Sequence, residues 1–95
     1  MSVGVRRSEL EIIRDILRVG EGRTTSLRYT VNLSHSQMLK YLLFLERSDL
    51  IELDRQGART LSFRITEKGR LALERVEELF NLLGLESLTS PEERR

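Results

Sequence analysis

Residues 34–65 read SHSQMLKYLLFLERSDLIELDRQGARTLSFRI, and the two halves of this stretch follow different periods. In the first half, Ser34 and Gln37 have the S-x-x-Q spacing of a reciprocal helix cap. Leu33 sits just before the cap, where a hydrophobic staple belongs. Met38, Tyr41, Leu42 and Leu45 then recur at i, i+3, i+4 and i+7, which predicts a helix over 34–48 with that stripe facing a core. His35, Ser36, Gln37, Leu39, Lys40, Leu43 and Phe44 are left on its other faces. The second half alternates. Ile51 and Leu53 answer Leu61, Phe63 and Ile65, while Glu52, Asp54, Ser62 and Arg64 point the other way. Arg55-Gln56-Gly57-Ala58-Arg59 lies between the two runs, so 50–65 is predicted to be a β-hairpin with a basic tip.

Upstream, residues 8–19 read as an amphipathic helix opened by Ser8 and Glu11 at capping-box spacing. Leu10, Ile13, Ile16 and Leu17 form its apolar side, with Arg14, Asp15 and Arg18 opposite and Gly20 and Gly22 ending it. Residues 24–31 are predicted to be a short helix. Thr24 and Thr25 can cap it, Leu27 and Val31 make an i,i+4 pair, and Asn32 is a plausible stop. Downstream, Thr66-Glu67 opens a last helix that runs to about Leu83 and stops at Gly84. Its apolar set is wide: Ala72, Val76, Leu79 and Phe80 can face inward, and Leu73 and Leu83 have room to meet another chain. The domain organisation is therefore a single unit over 1–84, its last helix at about 66–83, with a frayed tail at 85–95.

Composition narrows the function. The 95 residues suffice for one small core. Without cysteine there is no disulfide, thiolate metal site or thiol nucleophile, and one histidine, His35, builds no His-rich centre. No glycine-rich phosphate loop or nucleophile-base pair stands out, so the expectation is a non-enzyme without metal or cofactor. The longest apolar run, Tyr41 to Leu45, is far too short to span a membrane, and the N-terminus lacks a secretory core. A cytoplasmic protein is expected. Residues 1–70 carry 13 Lys/Arg against 9 Asp/Glu (net +4), and residues 71–95 carry 3 against 6 (net −3), which together give the overall +1. The basic excess lies upstream, and 14 of the 16 basic residues are arginine, the side chain suited to bidentate phosphate and guanine contacts.

Helix, short helix, helix, hairpin, helix is the element order of a winged helix-turn-helix domain, a mostly helical α+β fold. Leu27-Arg28-Tyr29, Asn32-Leu33-Ser34, Lys40-Tyr41-Leu42 with Leu45, Asp49-Leu50-Ile51 and Ile65-Thr66-Glu67-Lys68-Gly69, in that order, resemble the archaeal winged helix-turn-helix family. That family includes small chromatin-associated proteins of Sulfolobus and transcription-regulator-like proteins. The resemblance covers about residues 8–83. It implies double-stranded DNA as ligand and a homodimer joined through the last helix, here by Leu73, Val76, Leu79, Phe80 and Leu83. The family's long coiled coil has no counterpart in so short a helix, so a shorter, broader contact is expected.

In helix-turn-helix binding the second helix of the motif presents its first turn to base edges in the major groove. Those positions are Ser34, His35, Ser36, Gln37 and Lys40. Arg28 is placed to hold the backbone, and Arg55 and Arg59 flank the hairpin tip. Arg6, Arg7 and Arg23 are further phosphate candidates. Tyr29 and Tyr41 read as core edges, and Glu74, Glu77 and Glu78 as a solvated helix face. Leu39, Leu43 and Phe44 lie off the core stripe, and DNA-binding relatives tend to be polar or basic at the first two of these positions. These three residues support a competing expectation, a winged-helix module that docks a protein partner through an apolar patch.

Overall fold

The structure, a computed structural model, describes residues 7–55 and 61–84. The chain runs α1 (Glu9–Val19), β1 (Glu21–Arg23), α2 (Thr24–Thr30), α3 (His35–Arg47), β2 (Ile51–Asp54), β3 (Ser62–Ile65) and α4 (Glu67–Leu83). Both expected capping boxes form. Ser8 Oγ accepts from Glu11 N while Glu11 Oε1 accepts from Ser8 N, and Ser34 and Gln37 do the same at α3. Each box satisfies two of the amide donors that a helix start leaves without an intrahelical partner.

The strands form one antiparallel sheet in the order β1-β3-β2. Leu53 lies opposite Phe63 and Ile51 opposite Ile65, so the apolar residues of the two hairpin strands share one face as the alternation implies. β1 has no counterpart in the sequence reading. Glu21-Gly22-Arg23 is a strand only because β3 offers it an edge, with Gly22 opposite Phe63. The pairing is held at its ends by Ile65 N donating to Gly20 O and Thr24 N donating to Leu61 O. A three-residue strand with a central glycine has no local β propensity to detect.

The core lies between α1, α2, α3 and the sheet. It holds Ile12, Ile16, Leu17, Leu27, Val31, Leu33, Met38, Tyr41, Leu42, Leu45, Ile51, Phe63 and Ile65. The α3 stripe is the expected one. The α1 stripe is turned: Ile12, Ile16 and Leu17 are buried, Ile13 is half-buried, and Leu10 is exposed. Arg14, expected on the outside, is only 5% exposed. The cause is α4, which returns along α1 and sets the Phe80 ring under the Arg14 guanidinium at 4.8 Å. The charge stays paired, with Arg14 Nε and Nη2 donating to Asp15 Oδ1. An arginine can bury its stem and ring-facing plane while its nitrogens keep a carboxylate, so helical periodicity alone does not place it.

The turn between α3 and β2 is where α4 is fastened. Asp49 takes a left-handed conformation (φ 66°), and the carbonyls of Ser48, Asp49 and Leu50 all face α4. Lys68 Nζ donates to Ser48 O, Thr66 Oγ1 to Asp49 O, and Thr66 N to Leu50 O. Thr66 Oγ1 also caps α4 by accepting from Gly69 N. Gly69 packs so closely that a Cβ there would stand 2.1 Å from Leu50 O and 2.6 Å from Ile65 Cγ1. The Thr66-Glu67-Lys68-Gly69 motif is thus a clamp on the end of α3.

Gly69→Ala is expected to destabilise the domain by about 1–3 kcal/mol, the usual cost of overpacking a tight site. Urea unfolding of the two proteins measures it, and equal midpoints would contradict the close approach.

Candidate nucleic-acid interface

The approach to α3 is fixed by backbone and one arginine. After α2, Asn32 adopts a left-handed conformation (φ 58°), and Leu33 N donates to Arg28 O, which turns the chain and buries Leu33. Arg7 locks this turn. Its Nη2 donates to Val31 O at 2.6 Å and Asn32 O at 3.3 Å, and its Nη1 pairs with Asp15 at 2.9 Å. Arg7, a phosphate candidate in the sequence, is therefore spent on positioning the turn.

Beyond the turn, Ser34, His35, Ser36, Gln37 and Lys40 are all exposed at the start of α3. Ser34 Oγ lies 3.4 Å from Ser36 Oγ, and the Gln37 side-chain oxygen accepts from Ser34 N. The cap thus takes the acceptor of Gln37 and leaves its amide nitrogen as the group turned to solvent. Lys40 Nζ lies 5.4 Å from the Tyr41 ring centre. Arg28, half-buried on α2, places its guanidinium 5.3 Å from the ring of Tyr29. Tyr41 is a core edge as expected, but Tyr29 is not: it is 75% exposed, because Leu27 and Val31 already fill the inner side of α2.

Burial of Met38, Tyr41, Leu42 and Leu45 also decides what α3 shows to solvent. At 3.6 residues per turn the direction opposite their mean falls on Ser36, Lys40, Leu43 and Arg47, and all four are exposed. Arg47 was missed in the sequence reading. Its signal is the i, i+4, i+7, i+11 continuation of the outer face from Ser36. Neither Lys40 nor Arg47 has a carboxylate at ion-pair distance among the described residues.

Arg55 stands at the base of the hairpin tip but reaches back to the last turn of α3. Its Nη1 and Nη2 donate to the two carboxylate oxygens of Glu46 at 3.0 and 3.2 Å. This bidentate hydrogen-bonded contact holds the Glu46 carboxyl below its usual range and raises the Arg55 guanidinium further. Arg23 is exposed on β1, opposite Ser62. Arg59 and Arg6 lie outside the described residues, as do 56–60 of the hairpin and the tail 85–95.

The three off-stripe apolar residues occupy different surroundings. Leu39 packs partly against the core. Phe44 turns toward α1 and lines a small groove of about 120 Å³ with Glu9, Ile13, Lys40 and Tyr41. Leu43, 45% exposed, stands on the outer ridge. On α4, Phe80 is buried within the chain at 2% exposure, and Leu73 and Val76 are half-buried. Leu79 and Leu83 are exposed, and Leu71 and Leu82 are exposed with them.

A sequence profile of winged helix-turn-helix proteins matches residues 6–84. The chain belongs to the winged helix-turn-helix family. Among solved structures it is similar to Sso10a-2, a DNA-binding protein from Sulfolobus solfataricus. That match has 28% identity and a TM-score of 0.74, and covers 93% of this chain and 92% of that one. It is similar in fold to the M. tuberculosis transcriptional regulator MOSR, solved in complex with DNA, at 19% identity and a TM-score of 0.70, covering 94% of this chain and 70% of that one. A mutant MarR from E. coli solved with operator DNA matches at 12% identity and a TM-score of 0.67, covering 93% and 64%. This winged-helix chain therefore spans about two thirds of the MarR-type regulators. No curated protein matches it at the level of sequence. Among its described residues no helix is long and apolar enough to cross a membrane, and no acidic or histidine cluster suited to a metal ion forms.

Because its folded pKa is lowered, the Glu46 carboxylate adds stability above the ordinary glutamate pKa of about 4.3 and loses it as pH falls through the depressed value. Carboxyl-carbon NMR titration should place Glu46 below the usual glutamate range, and Arg55→Ala should return it there. An unchanged Glu46 titration in Arg55→Ala would contradict the contact.

Proposed function

We propose that this winged-helix chain binds double-stranded DNA as a homodimer and serves as a transcriptional regulator. The reading is carried by the outer ridge of α3, where Ser36, Lys40 and Arg47 stand exposed opposite the buried face, with the capped helix start at one end. In this reading α3 enters the major groove, Ser34, His35, Ser36 and Gln37 meet base edges, and Lys40 meets the backbone. The unpaired amide donors and partial positive charge of the helix start favour a nearby phosphate. Arg28 holds phosphate beside the turn. Arg59 and, once freed from Glu46, Arg55 serve the wing. The likeness to Sso10a-2 along nearly its whole length supports this reading, as do the DNA-bound regulators of the same fold.

The dimer contact is assigned to α4. Leu79 and Leu83 supply it together with Leu71 and Leu82, all four exposed among the described residues. Leu73 and Val76 flank this face. Phe80 contributes indirectly, by seating α4 on Arg14.

Two modules contacting roughly four phosphates each should give a slope of about −7 in log K against log salt. Fluorescence anisotropy with a labelled duplex at a series of salt concentrations tests this, and no binding at about 20 mM salt, where screening is weak, would overturn the reading. Leu82→Asp should leave the fold intact and convert the dimer to monomer in sedimentation equilibrium. An unchanged mass would remove α4 as the contact.

A further inference from the structure

Resting on the DNA-binding reading, we propose that Leu43 is a thymine reader. Its side chain contacts the C5 methyl group of a thymine in the major groove while Lys40 and Arg47 engage phosphates on either side. The ridge Ser36, Lys40, Leu43 and Arg47 points away from the four buried side chains of α3, so it is the part of the helix that a groove would receive. At 1.5 Å per residue, Leu43 stands about 10 Å along the axis from Ser36, and the whole ridge spans about 16 Å. A major groove about 12 Å wide accepts a helix in this way.

Leu43 is a lone apolar group on that ridge. One turn before it stands Lys40 and one turn after it Arg47, both exposed and without a carboxylate partner among the described residues. The centre of a protein-docking patch is poor in charge and continuous in apolar surface. Here Leu39 packs partly against the core, and Phe44, itself 48% exposed, projects about 100° further round the helix toward Glu9 and Ile13 and so lies off the ridge. An apolar contact set between two cations suits a different surface, one with anionic walls and an isolated methyl group on its floor. In the major groove that methyl group is the mark of thymine, which distinguishes it from the hydrogen-bonding edges of the other bases. A leucine at this position also gives a preference that a lysine or glutamine would not, because it rewards the methyl and leaves polar base edges unmatched.

The experiment starts with duplexes selected by the full chain from a random pool. In the best duplex each thymine is replaced singly by uracil, which keeps base pairing and removes only the methyl group. The wild-type chain should lose about fourfold in affinity at one thymine per half-site, the equivalent of ~0.8 kcal/mol for one buried methyl group. Leu43→Ala should bind the parent duplex more weakly and show no thymine-uracil difference there. Lys40→Ala and Arg47→Ala should keep that difference while each reduces the salt slope by about 0.9. A thymine-uracil difference that persists in Leu43→Ala, or equal affinity for every uracil replacement, would overturn the proposal while leaving DNA binding in place. Failure to select any duplex would remove the DNA-binding reading itself and this assignment with it.

Discussion

The burial of Met38, Tyr41, Leu42 and Leu45 sets the rotation of α3 about its own axis, and the rest of the molecule is arranged around that choice. Turning the helix by one residue position, about 100°, would expose part of this stripe and lose roughly 1.5–3 kcal/mol for each large side chain uncovered. With the inner face fixed, the outer face follows by geometry. The ends are then fastened separately. At the start, the Ser34–Gln37 box satisfies the first amides and Arg7 holds the two preceding carbonyls. At the end, the carbonyls of Ser48, Asp49 and Leu50 are held by Lys68 and Thr66, and Gly69 lets α4 close over them. A helix held this firmly at both ends presents its exposed ridge as a rigid unit.

Charge is distributed unevenly between structure and surface. Arg7 and Arg14 share Asp15, Arg18 pairs with Glu77, Arg55 with Glu46 and Arg64 with Glu52. The surface pairs contribute little stability each, but they remove those cations from the pool facing solvent. Overall net charge is therefore a poor guide to what a phosphate backbone would meet. The cations that matter are those on one face without a carboxylate at ion-pair distance, and among the described residues Lys40 and Arg47 are such a pair on α3.

Much of the fold was legible in the sequence because its signals are local. The S-x-x-E and S-x-x-Q boxes, the α3 stripe, the alternation of the hairpin and the Thr66 cap each depend on residues within a few positions of one another. The features that escaped are those made by distant parts of the chain. Glu21-Gly22-Arg23 becomes a strand through β3, and Arg14 goes inward because Phe80 comes from the far end of α4 to cover it. Of the candidate site, the exposed turn Ser34 to Gln37 with Lys40 was legible. The pairing of Arg55, expected only as a DNA-contact candidate beside the hairpin tip, was not legible because its partner, Glu46, belongs to another element. Leu39, Leu43 and Phe44 read as one patch because sequence lists neighbours, whereas on the helix Leu39 and Leu43 share one side, Leu39 leaning onto the core, and Phe44 projects toward α1.

In the proposed function the ridge of α3 and its capped start form the surface that meets a duplex. Backbone-amide NMR of the chain titrated with duplex DNA tests it most directly. The largest shift changes are expected at Ser34 to Gln37, Lys40, Leu43 and Arg47, with α1 and the outer face of α4 nearly unmoved. Changes concentrated on α4 or on the α1 groove beside Phe44, with the ridge silent, would contradict it.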